Sequence, residues 1–130
     1  MRRLSKIAVL TLGIGSLGSA QPSPVGRIPV AVTSAAQERT AKRLASAVLT
    51  TLKGDPRFAI SERAAPGTLA ISLPAGIGWE RRLDWTEIHY QARLTSPAGQ
   101  SRIVAGHCWN WNLAVCAKQI VDAAAEMSRD

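Results

Sequence analysis

Hydrophobic and polar positions along this chain change period several times, and each change marks an element. Ile28-Pro29-Val30-Ala31-Val32 is short and β-branched, which predicts a first strand. Pro29 cannot donate to a ladder, so an edge position is expected for it. The period then becomes helical. Ala41, Leu44, Ala45, Val48 and Leu52 recur at three and four residues, while Glu38, Arg39, Lys42, Arg43 and Lys53 lie largely off that stripe. Ser34 with Gln37 three residues on matches a capping box. A helix is therefore expected from Ser34 to Lys53, with Gly54 at C′ and Pro56 preventing continuation. The off-stripe charges read as a solvated face.

Phe58-Ala59-Ile60-Ser61 predicts a second strand, and Pro66-Gly67 a turn. Leu69, Ile71 and Leu73 alternate with Ala70 and Ser72, as in a half-buried strand. Residues 79–84 fit either a loop or a bulged strand entry. From Trp85 to Leu94, Ile88, Tyr90, Ala92 and Leu94 share one face, and Glu87, His89, Gln91 and Arg93 share the other. Ser96-Pro97-Ala98-Gly99 is a tight-turn signal, and Ser101 to Trp109 returns as the hairpin partner. Leu113 to Met127 closes the chain as a helix, with Asn112 a good N-cap and Leu113, Cys116, Ala117, Ile120, Ala124 and Met127 facing inward. The order β-α-β-β-β-β-α predicts an α/β (α+β) two-layer sandwich: a mixed or antiparallel sheet with two helices on one face.

Residues 1–20 suggest a compartment. Arg2, Arg3 and Lys6 precede an apolar run from Ile7 to Ile14, and Gly18-Ser19-Ala20 supplies small residues before Gln21-Pro22. That order is the pattern of a secretory signal peptide, and the run is too short for a stable membrane anchor. The expected organisation is a signal peptide over 1–20, a disordered lead-in over 21–27 and one α/β domain over 28–130. No cysteine stands at the expected cut, so lipid anchoring is not indicated. The formal charge of +7 falls to +7 − 3 = +4 once Arg2, Arg3 and Lys6 are removed. The remaining basic residues are scattered, which argues against a nucleic-acid stripe and suggests weak attraction to an anionic envelope surface. A periplasmic or secreted location follows.

The two cysteines, Cys108 and Cys116, enclose seven residues at the joint between the last strand and the last helix. In an exported protein such a pair is expected as a disulfide, contributing about 2.5 kcal/mol by loop-closure entropy. The competing expectation is a metal site from His107, Cys108 and Cys116 with His89. The spacing matches no usual paired-cysteine pattern, and one hairpin register only would bring His89 opposite His107.

The order of elements resembles that of small bacterial envelope modules: the amino-terminal domain of TolB, the LpoB-type lipoproteins and the curli-pore protein CsgG. The resembling pieces are Ile28–Val32, the helix to Lys53 with Asp55-Pro56-Arg57-Phe58 after it, Tyr90–Gly99 with its return strand, and the closing helix. The resemblance implies a non-catalytic envelope adaptor or assembly component.

Chemistry is sparse otherwise. No serine has a Gly-x-Ser-x-Gly context, and Cys108 and His107, adjacent on a strand, point to opposite faces. No cofactor is implied. Glu80, Asp84 and Glu87 lie among arginines, where ion pairing is the default. Trp79, Arg81, Arg82, Trp85, Trp109 and Trp111 are the candidate recognition residues, since tryptophan and arginine dominate interaction hot spots; they suit a protein partner or envelope glycan. Any single tryptophan is more readily expected at the core edge, and Trp109 and Trp111 are expected to seal the disulfide. The function expected is therefore a non-catalytic binding or assembly module of the envelope, with a small exported metal-binding protein or enzyme using His107, Cys108 and Cys116 as the alternative.

Overall fold

A computed structural model describes residues 26–129. The export-signal pattern and nearly all of the expected lead-in lie outside these residues. Eight elements follow in order: β1 (Ile28–Ser34), α1 (Arg39–Lys53), β2 (Phe58–Ile60), β3 (Leu69–Leu73), β4 (Gly78–Arg82), β5 (Trp85–Thr95), β6 (Ser101–Trp109) and α2 (Leu113–Met127). The six strands form one mixed sheet, and the two helices pack together on one of its faces. This is the α+β two-layer sandwich.

β1 pairs in parallel with β2 on one side and with β3 on the other. It is interior, not an edge as Pro29 suggested, and the ladder explains why. The Ile28 N–H donates to the Arg57 carbonyl at 2.8 Å, and the Val30 carbonyl accepts from Ser61 N–H at 2.7 Å. Even positions thus face β2, so the Pro29 nitrogen faces the other edge. There β3 begins only at Leu69, opposite Val30. Pro29 sits one residue before that pairing starts, and Ala31 is the first residue that must donate to β3.

The capping box does not form. Ser34 ends β1, its Oγ accepts from Ala36 N–H at 3.1 Å, and α1 starts at Arg39. The cause lies in the next strand. Ala35 and Gln37 N–H groups donate to the carbonyls of Leu73 and Ala75, so the backbone stays extended until those bonds are made. Gly54 stands at the C-cap with ordinary right-handed dihedrals, not in the left-handed C′ geometry. The predicted apolar stripe holds: Ala41, Leu44, Val48 and Leu52 are buried.

β5 is the hub. Its carboxyl-terminal part pairs antiparallel with β3, its amino-terminal part with β4 along the same edge, and its other edge with β6 over nine residue pairs. β4, from a stretch whose sequence allowed either loop or strand, is a strand exposed along its whole length. Leu83-Asp84 turn it back into β5, with Leu83 at φ +54°. The gap between β3 and β4 leaves the middle of β5 without a neighbour on that edge.

Ile88, Tyr90, Ala92 and Leu94 enter the core with Val30, Leu69 and Ile71 below α1 and α2. α2 buries Leu113, Cys116, Ala117, Ile120, Val121, Ala124, Ala125 and Met127. Phe58 and Tyr90 are the aromatic members of this core. At the far end of the helix layer, Arg57 grips Asp55 at 2.6 Å and reaches Asp122 of α2 at 3.3 Å. That bridge ties the loop after α1 to α2. Among the described residues no helix is long and apolar enough to cross a membrane.

Candidate functional site

The open face of the sheet carries the odd-numbered residues of β5 and β6, and register fixes which of them meet. Trp109 lies opposite Glu87, His107 opposite His89, Ala105 opposite Gln91 and Ile103 opposite Arg93. On the other edge of β5, Arg82 lies opposite Trp85 and Glu80 opposite Glu87. One end of this face is therefore built from aromatic and basic side chains.

The structure divides the six candidate recognition residues. Trp85 and Trp111 meet with ring centroids 5.6 Å apart and planes tilted by 57°. Trp109 and Arg82 share their face. Trp79 and Arg81 point to the helix side of β4, where they line a recess of about 310 Å³ with Glu38, Ile88 and Asn110. All four tryptophans are exposed, Trp79 by 66% and Trp109, the least, by 36%. The core-edge expectation for them fails because Leu, Ile, Val and Ala side chains already fill the space beneath the helices. Nor does Trp109 seal the disulfide. Cys108 faces the helices while Trp109, its neighbour on the strand, faces the other way.

Cys108 and Cys116 are joined by a disulfide, with Cα atoms 5.6 Å apart, inside the range such a bridge requires. Cys108 is near the end of β6 and Cys116 is in the first turn of α2, fully buried. Asn112 occupies the N-cap position, but it makes no side-chain cap bond. Its own N–H donates to the Trp109 carbonyl at 2.9 Å, which turns the chain from strand to helix. The bridge uses both sulfurs on the helix side, and His107 points to the open face. The set His107, Cys108 and Cys116 therefore does not converge on a common point.

Beside the tryptophan end lies a second cluster, whose acidic members read in the sequence only as ion-pair partners of arginine. His89 Nε2 is 3.2 Å from Glu87 Oε1 and 3.4 Å from Glu80 Oε1, and His107 Nδ1 is 3.6 Å from Glu87 Oε2. Arg82 lies 3.1 Å from Glu80 and 3.4 Å from Glu87. The signal was available: Glu80, Glu87 and His89 fall on one face once residues 78–82 are read as a strand pairing with β5.

No protein-family model and no curated protein matches the chain. Among solved structures it is similar to an uncharacterized protein at TM-score 0.50 and 13% identity, over 80% of this chain and 91% of that one. It is also similar to a PelC dodecamer from Paraburkholderia phytofirmans, at TM-score 0.45 and 14% identity over 81% and 88% of the two chains. A minor lipoprotein from Acinetobacter baumannii aligns at TM-score 0.38 and 9% identity, over 78% and 89%. The first likeness is one of fold alone, and the weaker two add nothing to a functional argument.

Proposed function

We propose that this chain is an exported, non-catalytic binding or assembly module of the cell envelope, and that it recognises a protein partner through the tryptophan-rich end of its sheet. The observation that carries the reading is the placement of Trp85, Trp109 and Trp111 with Arg82 at one exposed end. Large exposed apolar groups cost solvation, and a cluster of them marks an interaction surface. Aromatic rings and guanidinium groups bring large contact area and directional bonds, the chemistry of recognition hot spots. They supply no acid, base or nucleophile. Export is supported by the disulfide, which persists in oxidising compartments, and by the pattern of residues 1–20.

Photo-crosslinking in intact cells tests the surface. A photoreactive residue at Trp85, Trp109 or Trp111 should give a discrete adduct with an envelope protein, and one at Lys42 on the solvated face of α1 should not. Adducts from Lys42 alone, or none from the tryptophan end, would overturn the reading. Quenching of tryptophan fluorescence by envelope glycan, with no protein adduct, would replace the protein partner with a saccharide one.

A further inference from the structure

We propose that His89, His107, Glu87 and Glu80 form a binding site for one borderline divalent transition-metal ion, of which Zn²⁺ is the representative. The proposal does not rest on the partner-binding reading.

Three neighbouring strands supply the ligands. His89 and Glu87 stand on β5, His107 on β6 and Glu80 on β4, all on the open face. Asn110 N–H donates to the Thr86 carbonyl, and Ser96 N–H to the Gln100 carbonyl. Even positions of the β5–β6 ladder are therefore the hydrogen-bonded ones, and His89 with His107 is a non-hydrogen-bonded pair. Such pairs bring directly opposed side chains closest together. The two imidazole centroids are 5.9 Å apart.

The spacing of the donor atoms fits a shared ion. Two ligand atoms each about 2.0–2.1 Å from a tetrahedral Zn²⁺ stand about 3.3–3.4 Å from one another. From His89 Nε2 the observed separations are 3.2 Å to Glu87 Oε1 and 3.4 Å to Glu80 Oε1. The donor atoms of Glu80, Glu87 and His89 lie within 4.8 Å of one another; His107 stands outside that group, 3.6 Å from the other Glu87 oxygen, and joins the ion only by turning its exposed ring. Glu87 is central: one of its oxygens faces the His89 ring and the other faces His107. Its side chain is 18% exposed, against 46% for His89 and 61% for His107. The carboxylate is thus held in place while the rings can turn to meet an ion. The gap between β3 and β4 opens a recess of about 600 Å³ that both imidazoles line, with the carboxylates of Glu80 and Glu87 outside it.

The donor set decides the ion. Imidazole with carboxylate suits Zn²⁺ and its neighbours, whereas Ca²⁺ and Mg²⁺ prefer oxygen alone. Arg82 is the built-in competitor. Its guanidinium already lies against both carboxylates, so metal binding must displace it.

Titration calorimetry of the oxidised, chelator-stripped protein with Zn²⁺ at neutral pH tests the site, with Ca²⁺ as the control. One Zn²⁺ should bind per chain, and Ca²⁺ should give no heat above dilution. His89→Ala and His107→Ala should each weaken binding by at least about 10-fold. Glu87→Gln should weaken it as well, and Arg82→Ala should tighten it. These side chains are exposed or on a strand surface, and an unchanged metal-free melting temperature confirms that each variant folds. Absence of Zn²⁺ binding, equal affinity in the His89→Ala/His107→Ala double variant, or weaker binding in Arg82→Ala would overturn the proposal.

Discussion

Tyr90 Oη donates a 2.8 Å hydrogen bond to Gln119 Oε1, joining the sheet to α2 across the backbone of Gly106. Gln119 Nε2 in turn donates to the His107 carbonyl at 3.2 Å. Odd positions of β6 face away from β5, so this bond covers part of an otherwise open strand edge, a place where unpaired backbone invites unwanted pairing.

That closeness makes Gly106 a demanding position. A Cβ there would lie 2.5 Å from Gln119 Oε1, 2.5 Å from Tyr90 Oη and 2.8 Å from the adjoining ring carbon. Gln119 can rotate away, but the Tyr90 ring is buried in the core. Gly106→Ala should cost about 1–3 kcal/mol, the range for overpacking, against about 1 kcal/mol for Tyr90→Phe, which removes one hydrogen bond. Denaturant unfolding of both variants checks the order; an alanine that costs less than the phenylalanine would contradict it.

The hairpin tip carries strain. Leu83 has φ +54° and is 94% exposed, so the side chain gains nothing by packing to offset a left-handed backbone. That conformation costs an L-residue about 1–2 kcal/mol. Part of the gain on removing it is lost to the greater freedom of glycine in the unfolded chain. Leu83→Gly should therefore stabilise by about 0.5–1 kcal/mol, and Leu83→Val, β-branched, should destabilise. Thermal melts that rank valine above glycine would contradict the geometry.

The Asp55–Arg57 bridge predicts a pH dependence. Hydrogen bonds from the Arg57 side chain hold the Asp55 carboxyl below its ordinary value. Lys118 first, and then Arg57, do the same for Asp122. A carboxyl depressed in the folded state contributes stability above its unfolded value of about 4 and loses it as pH falls through the folded one. Asp55 is largely shielded, whereas Asp122 is about half exposed and screened by solvent. Asp55→Asn should cost roughly 1 kcal/mol at pH 7. The gap from the parent should close as pH falls below about 4. A gap that stays constant down to acid pH would show that the charge contributes nothing.

The buried stripe of α1 gives a plainer contrast. Leu44 is 1% exposed while Lys42 is on the solvent side. Leu44→Ala should cost about 2–5 kcal/mol, and Lys42→Ala should stay within about 0.5 kcal/mol. Equal shifts in melting temperature would mean that the stripe faces solvent.

Periodicity carried most of the fold. The alternation of Ile88, Tyr90, Ala92 and Leu94, and the stripes of Leu44 and Ile120, were legible because burial of apolar side chains fixes them locally. Two features were not, because their causes are distant in sequence. The start of α1 depends on carbonyls of Leu73 and Ala75, and the interior place of Pro29 depends on where β3 begins. The stretch of β4 reads equally as loop or strand because every one of its residues is exposed, which leaves no alternation to decide between them. The same blind spot hid the site: the meeting of Glu80, Glu87 and His89 requires β4 to be a strand. The tryptophans were legible as chemistry but not as place, since a large apolar ring fits a core pattern and a recognition pattern equally.

Intact-mass spectrometry of the protein recovered without reductant from the envelope fraction decides whether this is an exported module closed by its disulfide. The expected chain begins at or near Gln21 and is two hydrogens lighter than its reduced formula, with no thiol to alkylate before reduction and two afterwards. A chain recovered from the cytoplasm with Met1 and residues 2–20 still attached, carrying two free thiols at Cys108 and Cys116, would contradict it.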